Sequence, residues 1–245
     1  MSKTVILIPS RLSASRLPGK PLLKINGISI ISHVVKKAKE ADIGDVYVAT
    51  EDQEIIDDVN LNGGKAILTS NNHKTGSDRI FECFEKLDLK NIDFIINLQG
   101  DEPNIDISDL KHLHKLVEIK KPEIGTLGSE IKDKNSLNNE NIVKVITDSR
   151  INNTNFPIAK DFKRKLENLE LNIYHHLGIY AYKPDVLKKI IKLKQTNSEI
   201  KNRLEQLRAM ENGIKINVAL AKTCPIGIDT MEDYVALKKI LEYKS

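Results

Sequence analysis

The chain has 245 residues, of which 40% are hydrophobic, and its formal net charge is +4 at pH 7. This length fits one larger α/β domain with a sizeable core. No stretch has the length of a membrane span or the pattern of a signal peptide, so we predict a cytoplasmic protein with no membrane insertion. Lysines spread along the chain supply the positive charge without a basic, aromatic-interleaved patch, so nucleic acid is not a predicted partner.

A short apolar run at residues 5–8 is followed by a loop, residues 9–21, that carries Arg11, Arg16 and Lys20. The run predicts a buried first strand, and in open α/β sheets ligands bind beyond the carboxyl ends of strands. Guanidinium and ammonium groups on such a loop are typical of a phosphate site, although a merely solvated basic loop is the alternative. The glycine spacing of a P-loop or of a dinucleotide-binding loop is absent from this loop.

The next segments alternate between strand and helix patterns. Asn26-Gly27 predicts a hairpin turn, and the helix that begins at Gly76 has Thr75 or Ser77 as its predicted cap. This alternation predicts a parallel sheet with right-handed crossovers. The predicted strands are 45–50 and 65–70, and the predicted helices are 30–41, 51–59 and 76–87.

A fourth predicted strand, residues 93–98, ends in Gln99, Gly100, Asp101 and Glu102. A carboxylate that faced a phosphate-binding loop would be poorly placed unless a metal ion bridged it to the phosphates. Mg²⁺ is commonly bound in this way, by one or two carboxylates and phosphate oxygens. A turn or helix-cap aspartate is the alternative interpretation of Asp101.

Beyond residue 124 the alternation is less regular, so we divide a single domain, 1–245, into halves 1–124 and 125–245. Residues 160–169 are predicted to be a charged connector, and Asp229 to lie just before the closing helix, 231–243. The remaining predicted strands are 123–131, 141–148, 172–182 and 215–221, and the remaining predicted helices are 184–193 and 199–210.

Seven segments, read in order, resemble the CMP-Kdo synthetase (3-deoxy-manno-octulosonate cytidylyltransferase) family: IPSRLSASRLPGKPL, HKTGSDRI, NLQGDEP, NIVKV, HHLGIYAY, LEQLR and IDTMEDY. The resemblance runs nearly end to end. It implies an α/β fold of the Rossmann-like, GT-A-like nucleotidyltransferase type, with a mixed, mainly parallel sheet flanked by helices. It also implies a smaller extension in the second half for sugar binding and dimerisation.

The activity implied by the resemblance is Mg²⁺-dependent transfer of CMP from CTP to the anomeric 2-hydroxyl of a 2-keto-3-deoxy sugar acid. Pyrophosphate is released, and the product serves lipopolysaccharide or another surface glycan. The implied catalytic residues are Arg16, Lys20, Asp101 and Asp229, of which Asp101 and Asp229 would bind Mg²⁺. The implied nucleotide-binding residues are Arg11, Arg16, Lys20, Thr75, Gly76, Ser77, Arg79, Gln99 and Asp101. The implied sugar-binding residues are His176, Tyr180, Glu205 and Gln206.

One segment departs from the family pattern. Family members have an aromatic-Ser-Arg segment, YFSR…IP, where this chain has NNTNFPIAKDF, and Arg150 and Lys160 are candidate replacements for the arginine. The alternatives are therefore a cytidylyltransferase for 8-amino-Kdo or an acylneuraminate-like acid, or a non-catalytic nucleotide-binding paralogue. The resemblance further implies a homodimer, with the aromatic strand 174–182 as a candidate contact.

Overall fold

The structure, a computed structural model, describes residues 3–13, 16–131, 133–166, 170–224 and 227–242. Ala14 and Ser15 of the predicted phosphate loop, residues 167–169 of the predicted connector and residue 243 of the closing helix lie outside these ranges. The chain forms two compact units. The first comprises residues 3–107 together with the described C-terminal residues, and the second comprises residues 108–224.

The strands in the described residues are β1 (Thr4–Ser10), β2 (Lys24–Ile25), β3 (Ile28–Ser29), β4 (Asp45–Thr50), β5 (Ala66–Leu68), β6 (Phe94–Asn97), β7 (Ile124–Glu130), β8 (Lys144–Thr147), β9 (Ala159–Lys163), β10 (Ile173–Tyr182) and β11 (Ile216–Ala221). The helices are α1 (Ile30–Glu40), α2 (Gln53–Leu61), α3 (Gly76–Leu87), α4 (Ile107–Lys120), α5 (Lys134–Asn138), α6 (Pro184–Lys192), α7 (Asn197–Asn202), α8 (Gln206–Glu211) and α9 (Met231–Glu242). No helix in these described ranges is long and apolar enough to cross a membrane.

A parallel sheet in the order β6-β1-β4-β5 forms the centre of the first unit, as the alternating pattern predicted. Residues 5–8 of β1 are fully buried, which explains their unbroken apolar run, because helices cover both faces of such a sheet. The strands all end at one edge, so the loop after β1 and residues 99–102 after β6 lie at the same side of the unit.

Local signals set the details of this unit. Asn26 and Gly27 have φ angles of 50° and 77°, which is the backbone of the predicted tight hairpin between β2 and β3. Of the two predicted caps of α3, Thr75 is the N-cap, and its Oγ1 accepts the Asp78 N–H at 3.2 Å. In the second unit, helix α4 was not predicted, although Leu110, Leu113 and Val117 recur at helical spacing and are buried.

The second unit has a mixed sheet. Strand β11 pairs parallel with β7, whereas β7-β10, β10-β8 and β8-β9 are antiparallel. Together with the first unit this confirms the predicted α/β class with a mixed, largely parallel sheet flanked by helices. The register of β10 against β7 shifts between Leu177 and Tyr180, which places an irregularity in the middle of the longest strand.

Three predictions in the second half were wrong. Part of the predicted connector is strand β9, and its charged residues obscured the strand pattern. The predicted helix 199–210 is two short helices, α7 and α8, because Arg203 adopts a left-handed φ of 54° between them. The aromatic strand 174–182 is not a surface for a partner, because β10 pairs with both β7 and β8 and its three tyrosines are at most 8% exposed.

Candidate active site

The loop after β1 is closed by a backbone hydrogen bond between its two ends and is anchored by one buried leucine. Gly19 has a φ of 72° and donates its N–H to the Leu12 carbonyl at 3.0 Å. A Cβ at this φ is disfavoured, which is why glycine occupies the position. Leu17 is buried in a cluster with Ile25, Ile30, Ile228 and Leu237. This anchoring leaves Arg11 and Arg16 exposed at the loop surface.

Lys20 lies between two carboxylates that come from distant parts of the chain. Its Nζ is 2.6 Å from Asp101 Oδ2 and 3.7 Å from Asp229 Oδ1. Arg16 extends to the other oxygen of Asp229, with an N–O distance of 3.0 Å. The structure therefore brings all four predicted catalytic residues together in the first unit.

The segment that carries Asp229 is held by backbone hydrogen bonds. The Ile228 N–H donates to the Asp101 carbonyl at 3.1 Å. The N–H groups of Asp229 and Thr230 donate to Asp233 Oδ2 at 3.1 and 2.9 Å, at the start of α9. These contacts fix the position of Asp229 relative to Asp101 although 128 residues separate them in the sequence.

A third carboxyl group, Glu102, lies beside the charged cluster of Arg16, Lys20, Asp101 and Asp229. Burial, followed by the negative charges of Asp101 and Asp229, raises the pKa of Glu102 to about 8. Its Oε2 has no hydrogen-bond partner among the described residues. Glu102 is therefore mostly neutral at pH 7.

The donor set of this cluster fits Mg²⁺. An ammonium group already lies within 3.7 Å of both carboxylates, so their oxygens converge on one cation position. The described residues hold no group of three or more His, Cys, Asp or Glu side chains suited to a metal ion. Two carboxylates without further protein ligands are typical of Mg²⁺ sites that substrate phosphates complete.

The remaining nucleotide-binding candidates lie on β6 and α3. Gln99 is half-buried just beyond β6, and Thr75, Gly76 and Ser77 form the start of α3. A Cβ on Gly76 would lie 3.5 Å from the Pro9 ring, so this helix start packs on the carboxyl end of β1. The N-terminus of a helix favours anions, which agrees with the predicted role of the segment.

Arg79 is in a different environment from the other cations. It is 3% exposed, and its guanidinium donates to Glu51, to Thr69 Oγ1 at 2.7 Å and to the Ser70 carbonyl at 3.2 Å. The sequence match predicted a nucleotide contact for Arg79. The geometry supports a structural contact with the protein itself.

Two of the sugar-binding candidates, His176 and Tyr180, lie on β10 in the second unit with ring centroids 5.3 Å apart. Thr126 Oγ1 donates its single proton to the Ile179 carbonyl at 2.7 Å, so His176 Nε2, 3.1 Å away, donates to Thr126. Burial, with a smaller effect of His175, lowers the pKa of His176 to about 3. His176 is therefore a neutral, hydrogen-bonded histidine.

Buried polar atoms of this unit that lack a hydrogen-bond partner within the described residues are His112 Nε2, Ser129 Oγ, Tyr180 Oη and Gln206 Nε2, and the last two belong to sugar-binding candidates. Burial, followed by the charges of Tyr182 and Glu205, raises the pKa of Tyr180 well above its usual value, so the hydroxyl keeps its proton. The interaction with Glu205 also shows that Glu205 lies near Tyr180. Unpaired buried donors of this kind are suited to a ligand rich in oxygen atoms.

The segment that departs from the family pattern forms an ordered part of the second unit. The Val218 N–H donates to the Pro157 carbonyl at 2.8 Å, and the rings of Phe162 on β9 and His176 pack edge to face with centroids 4.9 Å apart. Arg150 and Lys160, the candidate replacements for the missing arginine, are both exposed. Sequence reasoning missed Thr126, which lies in none of the seven quoted segments, and Phe162, which ends the departing segment but was assigned no role.

Comparisons with known proteins agree with this geometry. The cytidylyltransferase family model matches residues 5–216. The chain is 39% identical over 246 residues to the 3-deoxy-manno-octulosonate cytidylyltransferase of Afipia carboxidovorans, covering 97% of this chain and 96% of that protein. It is 37% identical over 246 residues to the enzyme of the same name from Rhizobium etli, covering 100% and 98%.

Solved structures of nucleotidyltransferases are also similar to this chain. CMP:2-keto-3-deoxy-manno-octonic acid synthetase complexed with CTP superposes with a TM-score of 0.89 at 35% identity, over 100% of both chains. An apo UDP-glucose pyrophosphorylase has a TM-score of 0.76 at 15% identity, over 100% of this chain and 99% of that chain, and at this identity it shows the fold alone.

Proposed function

The chain belongs to the 3-deoxy-manno-octulosonate cytidylyltransferase family of nucleotidyltransferases, and on that premise we propose that it transfers CMP from CTP to Kdo or a close variant. The anomeric 2-hydroxyl oxygen of the sugar acid attacks the α-phosphorus of CTP. The bond from that phosphorus to the bridging oxygen breaks, and pyrophosphate leaves with the electron pair. A place in lipopolysaccharide or surface-glycan synthesis follows from this product.

The observation that carries the proposal is the convergence of Arg16, Lys20, Asp101 and Asp229 at one edge of a parallel sheet. Both reactants are anions, so the reaction needs charge neutralisation and alignment more than covalent catalysis. Arg11, Arg16 and Lys20 supply cations for the phosphate oxygens. Gln99 and the start of α3 complete the surface that we assign to the nucleotide.

Asp101 and Asp229 would hold Mg²⁺, which neutralises the phosphates and, when bound, assists in-line displacement. The two carboxylates have different neighbours: Asp101 is the closer to Lys20, whereas Asp229 also contacts Arg16. We assign no protein group as a general base. His176, with a pKa of about 3, is a poor proton acceptor near neutral pH.

The sugar acid is assigned to His176, Tyr180, Glu205 and Gln206. Tyr180 Oη and Gln206 Nε2 are the donors that this ligand would satisfy, and Glu205 would accept from a sugar hydroxyl. The His176 ring packs against the rings of Phe162 and Tyr180, with centroids 4.9 and 5.3 Å apart. This half carries the departing segment, so it decides which acid is accepted.

The first test is a pyrophosphate-release assay with CTP and Mg²⁺, with Kdo, 8-amino-Kdo and N-acetylneuraminate tried in parallel. UTP and ATP serve as nucleotide controls, and EDTA followed by added Mg²⁺ tests the metal requirement. We expect release with CTP and a 2-keto-3-deoxy sugar acid, its loss in EDTA, and its return with Mg²⁺. Release only with N-acetylneuraminate would move the substrate to that class. CTP binding without release for any acid would support the non-catalytic alternative.

The Tyr180→Phe variant separates ligand binding from folding. Removing a buried hydroxyl that has no protein partner should leave the unfolding free energy unchanged or raise it by about 1 kcal/mol. The same change should raise KM for the sugar acid about tenfold, because the sugar acid loses the hydrogen bond from the Tyr180 hydroxyl. KM for CTP should be unchanged, because CTP is not assigned to this hydroxyl. Steady-state kinetics and urea unfolding measure both, with Tyr47→Phe on β4 as the control. An unchanged KM for the sugar acid would remove Tyr180 from the site.

Two further proposals rest on the family. We propose a homodimer, and sedimentation at micromolar concentration tests it, since a clean monomer would refute it. We also propose that the enzyme works in the cytoplasm. Neither Cys83 nor Cys224 forms a disulfide within the described residues, which agrees with a reducing compartment.

A further inference from the structure

The end of β4 and the turn after it, residues 50–52, contact both segments that we assign to the nucleotide. The turn itself is firmly held, because Thr50 is fully buried and accepts the Thr69 N–H on its carbonyl at 2.7 Å. Thr50 Oγ1 also accepts the Asp52 N–H at 3.1 Å. Glu51 and Asp52 therefore project from a fixed backbone.

Asp52 bonds to the phosphate loop and not to its own helix. It occupies the N-cap position of α2, where an aspartate usually accepts an N–H of the first turn, yet its side chain makes no such bond. Asp52 Oδ2 accepts the Leu12 N–H at 2.7 Å. The Leu12 carbonyl accepts the Gly19 N–H, so both backbone polar groups of Leu12 form hydrogen bonds. Asp52 therefore holds the residue at which the loop that carries Arg16 closes.

Glu51 bonds to the second segment. It accepts from the guanidinium of Arg79, and the ion pair is almost fully buried, with side-chain exposures of 15% for Glu51 and 4% for Arg79. Arg79 lies in the first turns of α3, three residues after Gly76, and also binds Thr69 and Ser70. The pair therefore ties the start of α3 to the end of β4.

We infer that Glu51 and Asp52 are positioning residues of the nucleotide site, Asp52 for the phosphate loop through Leu12 and Glu51 for the start of α3 through Arg79. Neither carboxylate is assigned to the phosphates, which it would repel. One accepts a backbone amide and the other a buried guanidinium. The inference rests on the proposed function for the identity of the ligand, but the two contacts themselves do not depend on it.

Three variants test the role of Asp52: Asp52→Ala removes the acceptor, Asp52→Asn keeps an acceptor without the charge, and Asp57→Ala is a control on the same helix. Asp57 is exposed, and its Oδ1 accepts a hydrogen bond from Gln53 Nε2 of the same helix at 2.7 Å. We expect Asp52→Ala to raise KM for CTP about tenfold, with KM for the sugar acid within about twofold of wild type. Asp52→Asn should restore most of the CTP affinity, and Asp57→Ala should match wild type. A merely structural role would lower the active fraction, and so kcat, with both KM values unchanged.

Hydrogen exchange at the Leu12 amide gives a readout that needs no activity. We expect slow exchange in wild type, Asp52→Asn and Asp57→Ala, and at least about tenfold faster exchange in Asp52→Ala. If wild type showed no turnover with any acid, the proposed function would fail while this measurement still decided the contact. If Asp52→Ala did not fold, Asp52→Gln would replace it, since the extra carbon displaces the acceptor.

Wild-type exchange and wild-type KM for CTP in folded Asp52→Ala would overturn the inference for Asp52. So would an Asp52→Asn variant that is folded yet as impaired as Asp52→Ala, since that result would assign the role to the negative charge and not to the accepted hydrogen bond. For Glu51, Glu51→Gln keeps an acceptor for Arg79, and we expect its KM for CTP to rise less than fivefold. A Glu51→Gln variant that lost all CTP binding while folded would indicate direct contact with the ligand.

Discussion

Asp101→Asn is expected to lower kcat by roughly a thousandfold. The side chain keeps its shape and one acceptor for Lys20, but it loses the charge that a divalent cation needs. Lys20 retains Asp229 and the Ile228 carbonyl as partners, so the fold should persist with a loss of stability of about 1 kcal/mol. A pyrophosphate-release assay gives kcat, and thermal unfolding of the same preparation gives the change in stability.

Nucleotide binding without metal makes this test specific. In EDTA, CTP should bind Asp101→Asn as tightly as wild type or more tightly, because one carboxylate that repels the phosphates has been removed. Asp88→Asn is the matched control: Asp88 is exposed at the end of α3, at a positive φ that asparagine tolerates. Turnover of Asp101→Asn within tenfold of wild type would remove Asp101 from the metal assignment.

Glu199→Ala is expected to lower the unfolding free energy by about 3–5 kcal/mol. Glu199 and Arg208 form an ion pair with side-chain exposures of 3% and 4%, and the Nε–Oε2 distance is 2.8 Å. Removing the carboxylate leaves a buried guanidinium without its counter-charge and also breaks the capping box with Thr196 at the start of α7. At this chain length the loss corresponds to a fall in Tm of roughly 10 °C.

The effect of Glu199 should depend on pH in one direction. Burial alone raises the pKa of Glu199, but hydrogen bonds from Arg208, Gln195 and Thr196 outweigh it and lower the pKa from 4.5. The stabilisation is therefore complete above the unfolded-state pKa and is lost as the pH falls through the lowered pKa. Urea unfolding of wild type and Glu199→Ala should differ most at pH 7 and less below pH 4, with Lys201→Ala on the same helix as control. A constant difference would contradict the ionic origin of the effect.

The elements that were predicted well have local causes. The buried run of β1, the Asn26-Gly27 hairpin, the Thr75 cap and the apolar periodicity of α1 and α3 all depend on residues within one turn or one strand of each other. Backbone preference and the period of apolar residues are properties of short segments, so the sequence by itself determined these elements and the α/β class. The break between α7 and α8 was missed because no local signal requires Arg203 to adopt a positive φ.

The tertiary structure alone decided which charged groups meet. Lys20 contacts Asp101 and Asp229 from 81 and 209 residues away, and no periodicity reports such a contact. Arg11, Arg16 and Arg79 are alike in sequence terms, yet two are exposed on a loop and the third is buried against Glu51. Asp52 likewise has the local pattern of a helix cap and instead holds Leu12. Whether a charged side chain binds substrate or stabilises the fold depends on the partners that folding brings to it. A charged group that is buried without a partner lowers the free energy of unfolding, so buried charges are found paired.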